Sequence, residues 1–311
     1  MYPGCVLMLV LEEDNMKKRI FVAMLCCILL LFSGCNGKSV KYKRISFESE
    51  TLGEELERIS EDTVVTYNAK ETFQNEMPIY KISKHAISKQ EIEQMENNLG
   101  VAKWHWNDFD GYEVLYRVAP YSDPGRGYFY TLNMTDEELE DLAWKTLNKI
   151  PFIDGEYEYA GITGEMSVWT MESGEYLATE VTVSFYRRID GVSVVGNERC
   201  NLTFDASGLV EIYVAMYDYE EIGTMDMVTL EEAQERIKSP DYFSIDQGTS
   251  SMKELEVERT RLYLVNQYSR GCTILQPIYT FYGTASFEDG AQKEFKSRII
   301  AIPESMTYVE E

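Results

Sequence analysis

The stretch Trp104-His105-Trp106-Asn107-Asp108-Phe109-Asp110-Gly111 concentrates residue types that do chemistry. An imidazole beside two carboxylates could ligate a metal or move a proton, and two indoles could stack on a sugar ring. The spacing does not suit a calcium loop. Aligning Gly111 with the invariant glycine puts Trp106 at the first ligand position and Arg117 at the last, and neither offers an oxygen. The same residues also read as an amphipathic strand ending in an Asp-Gly turn. The only other histidine is His85, which leaves little material for histidine-built zinc sites or catalytic triads.

Carboxylates are plentiful, with 53 Asp+Glu against 29 Lys+Arg and a formal charge of −24. Adjacent pairs occur at Glu137/Glu138, Glu220/Glu221 and Glu231/Glu232. Neighbours in sequence point in different directions on a helix, so no pair is singled out for glycoside hydrolysis. There is no G-x-S-x-G elbow, P-loop, H-E-x-x-H or dinucleotide fingerprint, so the motifs imply neither cofactor nor metal. A body this acidic repels phosphate backbones, which argues against nucleic-acid partners. At 44% hydrophobic and 13% aromatic, the chain can fill one large core or two small ones. Many of the 22 tyrosines, including Tyr112, Tyr116, Tyr128, Tyr130, Tyr213 and Tyr217, fall in strand-like stretches. They suit half-buried sheet faces or an aromatic strip for a peptide or glycan.

The N-terminal segment reads as an address. Lys17-Lys18-Arg19 precedes an apolar run from Ile20 to Phe32, which has secretory length and is too short to span a bilayer. Ser33-Gly34-Cys35 resembles the end of a bacterial lipobox, although Phe32 stands where Leu is usual. Cleavage is expected between Gly34 and Cys35, with Cys35 acylated and the protein held on the extracytoplasmic face of the cell membrane. Glu12, Glu13 and Asp14 fit badly ahead of such a leader, so translation from Met16 is the expected start. Lys38, Lys41, Lys43 and Arg44 form a basic tether over 35–44, leaving a net −28 on residues 45–311. Beside an acyl group, that basic run favours an anionic membrane surface. Once the leader and Cys35 are set aside, Cys200 and Cys272 remain. In an oxidising compartment they could form a disulfide, and the sequence alone leaves their pairing open.

Positioning falls to recurring helix starts. Ser88 with Glu91, Thr135 with Glu138 and Thr229 with Glu232 each form a capping box between apolar residues. A further helix is expected around Leu52–Ile59. Val181, Val183 and Phe185 alternate with polar residues as in a strand, and Asp190-Gly191 and Glu288-Asp289-Gly290 mark turns. A hairpin of Tyr112–Val118 with Tyr128–Leu132 is expected around Pro124-Gly125. These signals predict an α+β protein, with helices packed on antiparallel sheets. Its parts are a leader over 1–34, the tether over 35–44, an α+β unit over 45–133 and a region over 134–311. That last region holds two helix-then-strands units, 134–219 and 228–303.

Phe185-Tyr186, Ile189-Asp190-Gly191-Val192, Leu202-Thr203-Phe204-Asp205 and Gly208 resemble the hairpins of PepSY-like extracytoplasmic domains and of YycH/YycI regulators. Thr229-Leu230-Glu231-Glu232-Ala233 and Leu275–Phe281 sit where those families place a capped helix and a returning strand. The resemblance covers about 175–303. It implies a non-enzymatic module that binds an envelope protein or peptide, in a Gram-positive setting. Those regulators act through a transmembrane helix, whereas this chain has the features of a lipid anchor. The competing expectation is an envelope hydrolase or glycan binder using Trp104, His105, Trp106, Asp108 and Asp110.

Overall fold

The computed structural model describes residues 41–47, 59–100, 104–109, 113–118, 134–170, 175–206, 208–245 and 251–308. The chain divides into Met1–Lys41, of which Lys41 alone is described, and one compact unit, Tyr42–Glu311. In that unit β1 (Tyr42–Lys43), β2 (Val64–Tyr67) and β3 (Glu76–Lys84) lead to helix α1 (Lys89–Leu99). Strands β4 (Trp104–Phe109) and β5 (Glu113–Val118) precede α2 (Asp136–Leu147). Six strands follow: β6 (Glu156–Thr170), β7 (Glu175–Ile189), β8 (Val192–Gly196), β9 (Arg199–Asp205), β10 (Gly208–Ala215) and β11 (Tyr217–Asp226). After α3 (Leu230–Glu235) come β12 (Tyr242–Ile245), β13 (Met252–Asn266), β14 (Gln276–Phe287), β15 (Gln292–Ile300) and β16 (Thr307–Tyr308).

The α+β expectation is corrected here. Among the described residues the protein is mostly β, with three helices of 11, 12 and 6 residues against sixteen strands. Twelve of those strands form one mixed sheet, ordered β12-β15-β14-β13-β8-β7-β9-β10-β5-β4, with β2 on β13 and β6 on β7. The physical reason is that a capping box fixes where a helix starts and says nothing about its length. All three boxes do form. The carboxylates of Glu91, Glu138 and Glu232 accept from the N–H groups of Ser88, Thr135 and Thr229 at 2.7, 2.9 and 2.9 Å. The helices they start cover only patches of sheet. Ile92 and Met95 of α1, with Leu139, Ala143 and Leu147 of α2, pack on Val183, Phe185, Leu202, Phe204 and Val214. Ala233 of α3 joins Phe243, Phe281 and Phe295 in a second cluster.

Two local features set the sheet's shape. Asp190 and Gly191 have φ of 49° and 77°, the left-handed pair that a two-residue hairpin turn needs between Ile189 and Val192. Strand β8 then runs parallel to β13, from Ser193↔Tyr263 to Gly196↔Asn266, and joins the two halves of the sheet. Gly196 is required at that junction. Its φ is +111°, and a Cβ there would lie 2.2 Å from the Asn266 carbonyl oxygen.

Elsewhere the structure departs from expectation in detail. β5 pairs with β4 and β10, while 124–125 and 128–132 lie outside the described residues. The helix expected at 52–59 falls outside them too, apart from Ile59. Met216 alone separates β10 from β11, which belong to different sheets. β10 stays in the large sheet, and β11 pairs with β3 in a separate two-stranded one. The end of the expected tether is built into the body. Tyr42 and Lys43 pair in parallel with β16, and Arg44 lies 3.1 Å from Asp241 and 3.5 Å from Glu304.

Candidate functional site

Strands β12, β15, β14 and β13 have two unlike faces. One is sealed: Phe243, Leu255, Val257, Phe281, Phe295 and Ile299 form an apolar cluster together with α3. Because side chains alternate along a strand, the other face is fixed by the residues between them. Cross-strand register puts Ser244, Lys296, Tyr282 and Arg259 in one row. Tyr242, Arg298, Thr280 and Arg261 form the next. Four cations thus share one face of an acidic protein.

These cations differ in how they are balanced. Arg261 pairs with Glu158 at 3.3 Å, and Glu158 also accepts from the Ser193 hydroxyl at 2.9 Å. The other three rest on rings. Arg259 lies 4.6 Å and Lys296 5.7 Å from the Tyr282 centroid, while Arg298 lies 5.0 Å from Tyr242 and 5.4 Å from Phe47. Among the described residues neither Lys296 nor Arg298 forms an ion pair with a carboxylate. The Arg298 Nε–H is buried without a hydrogen-bond partner. Burial, and then the charge of Arg298, pull the Lys296 ammonium down to about 8.

A cavity of about 500 Å³ opens over this face, lined by Tyr186, Arg199, Tyr263, Tyr282, Lys296 and Arg298 among others. Its lining also includes Glu198, in a quite different setting. Glu198 is 5% exposed and accepts a hydrogen bond from the Tyr219 hydroxyl. Arg187 Nη1 stands 3.6 Å from its Oε1. Asn266, itself fully buried, donates to the Tyr219 oxygen at 3.0 Å. Burial outweighs the Tyr219 hydrogen bond and the Arg187 charge, and pushes Glu198 up to about 7. The same burial, together with the Glu198 charge, holds the Tyr219 hydroxyl far above its ordinary range.

The residues singled out from sequence lie elsewhere. Trp104, His105, Trp106 and Asp108 are on β4, the last strand of the sheet order, paired with β5 from Trp104↔Val118 to Phe109↔Glu113. His105 and Asp108 occupy positions of opposite parity on that strand. Asp110, Gly34 and Cys35 fall outside the described residues. Cys200 and Cys272 are not joined by a disulfide. Both thiols are buried, Cys200 in the cluster under α1 and α2 and Cys272 in the cluster between β3 and β14. Burial raises the Cys200 thiol far above its ordinary value, which leaves it unreactive. Among the described residues no three His, Cys, Asp or Glu side chains stand where they could hold a metal ion.

The cavity residues escaped the sequence reading, although they left a signal. Lys296-x-Arg298 on the cavity wall, and Arg259-x-Arg261 beside it on the same face, are pairs of like cations two apart within strands. That spacing puts both cations of a pair on one face.

No protein-family model matches the chain, and no curated protein matches it. Among solved structures, the Bacillus megaterium YpeB C-terminal domain is similar over 70% of this chain and 99% of that one. The identity is 11% and the TM-score 0.38. At that distance no residue's role is carried from one chain to the other.

Proposed function

We propose that this protein is a lipid-anchored, extracytoplasmic binding module that receives a protein or peptide partner at the cell envelope. The leader through Lys17-Lys18-Arg19 and the Ser33-Gly34-Cys35 exit support the location. The resemblance of about 175–303 to PepSY-like and YycH/YycI regions supports a regulatory role. The observation that carries the binding role is the cavity. It is a recess of about 500 Å³ most of whose walls belong to one hydrogen-bonded sheet, with Phe47, Glu198 and Gln267 added from outside its strands. Its polar groups include the cations Lys296 and Arg298 held on aromatic faces, a surface suited to recognition. Ready-made walls spare a ligand the ordering cost that a flexible loop would impose.

Two measurements test the reading. In a bacterial host, Cys35→Ala should move the full chain from the membrane to the soluble fraction, and mass spectrometry should lose the acylated N-terminal peptide. A photo-crosslinking residue at Tyr186, inside the cavity, should capture a defined envelope protein, while the same residue at Asp289, in the β14–β15 turn, should not. Identical adducts from both positions, or none from Tyr186, would reject the binding role.

A further inference from the structure

From the placement of Lys296 and Arg298 on one cavity wall, we infer that the recess binds a compact oxyanion, a carboxylate or phosphate group, between these two cations. The inference rests on reading the cavity as a binding site and names the chemistry of what enters it. The two residues are two apart on β15, on the face that bounds the cavity. Each is partly buried, and neither has a carboxylate partner among the described residues. This occurs in a protein where acids outnumber bases 53 to 29 and where Arg44, Arg187, Arg236 and Arg261 all find one.

Two like charges brought together away from water oppose folding unless something compensates them. The rings of Tyr242, Tyr282 and Phe47 face these cations, but a ring carries no net charge and leaves the pair without a counter-ion. The unpartnered Arg298 Nε–H is a donor already free of solvent, and a bound oxyanion would accept from it. Glu198, the carboxylate that lines the same recess, has Arg187 as its own cation and does not serve this pair.

The charge of the rest of the molecule limits the ligand's size. Residues 45–311 carry a net −28, and repulsion acts over a Debye length of about 8 Å at physiological salt. A polyanion would meet that field along its whole length, whereas a single carboxylate or phosphate is enclosed by the recess.

Isothermal titration calorimetry of residues 36–311 or the full chain, with inorganic phosphate and with glutarate as separate probes, tests this. The expected result is saturable 1:1 binding of at least one probe, and the probe preferred identifies carboxylate or phosphate as the natural group. Lys296→Met and Arg298→Gln should each weaken binding by roughly tenfold or more, with circular dichroism confirming that both variants fold. Lys81→Met, at an exposed position of β3 away from the cavity, should leave binding unchanged. Long-chain polyphosphate should bind no more tightly than inorganic phosphate. Failure of both small anions to bind the wild-type protein would overturn the inference, as would equal weakening by Lys81→Met. Capture from Tyr186 without anion binding would sink this inference alone. Anion binding without capture would sink the protein-partner reading instead.

Discussion

Two charged clusters border the same cavity and handle charge in opposite ways. Around Glu198 the partners are opposite in sign or donate: Arg187 faces the carboxylate, Tyr219 donates to it, and Asn266 anchors Tyr219, although Glu198 Oε1 itself accepts no hydrogen bond. Around Lys296 the charges agree in sign and face rings and open space. The first cluster is held by interactions that only the folded chain supplies, which is what a structural network requires. The second opposes folding and would be completed by something from outside. The comparison separates a joint from a socket using the same residue types.

The most damaging change should be the one that dismantles the junction shared by both clusters. Gly196→Val drives a side chain into the Asn266 carbonyl where β8 meets β13. It should cost roughly 4 kcal/mol or more, read by urea denaturation. A loss below about 1 kcal/mol would show that the junction yields easily.

Arg187→Met comes next. It leaves Glu198 buried beside Tyr219 without its cation, at an expected cost of about 3 kcal/mol near pH 8. Near pH 5 the cost should shrink, because a protonated Glu198 no longer needs the charge. An equal loss at both pH values would mean that Arg187 acts by packing alone.

Glu198→Gln isolates the carboxylate. Folding raises its pKa from 4.5 to about 7, so the native state holds a proton that the unfolded chain has released between those values. Stability from this group is therefore full below pH 4.5 and declines as pH climbs through 7. The variant should gain on wild type over that window by up to roughly 3 kcal/mol. A constant difference from pH 4.5 to 8 would refute the assignment.

Lys296→Met should have the smallest effect on stability, and the group it removes has a pH trend opposite to that of Glu198. Its ammonium is pulled from 10.5 to about 8, so wild type gains stability as pH rises from 8 towards 10.5. The variant should melt slightly higher at neutral pH and lose that rise. A lower melting temperature would place Lys296 with the structural cluster and erase the contrast.

The local devices were legible in the sequence and the long-range pairings were not. Ser88, Thr135 and Thr229 announced their helices because a cap and its partner lie three residues apart. Asp190-Gly191 announced its turn because few residues accept φ > 0. Nothing in 193–196 reveals that it runs parallel to 263–266, since alternation marks a strand and not its neighbour. β6 was hidden differently. Register shifts at Tyr159/Gly161 and Ile162/Gly164 break the period of two along it. The candidate site was half visible. Its cations sit two apart within β13 and β15, but their meaning depends on Glu158 reaching Arg261 and no acid among the described residues reaching Lys296. That is a fact of tertiary placement.

Phe47 walls one side of the recess, and the way its segment is attached has a dynamic consequence. Ile45 and Ser46 donate to the side-chain amides of Gln276 and Gln267 at 3.0 and 2.9 Å, and the same two amides donate back to Lys43 and Ser46 carbonyls. Two glutamine side chains thus replace a neighbouring strand. Side-chain contacts of this kind can break by rotation about single bonds, with no shift in the register of any strand. The Ile45 and Ser46 amides should therefore exchange with solvent sooner than those of β15. Peeling back this wall would change how fast a ligand enters and leaves while the sheet behind it, and the affinity it sets, stays as it was.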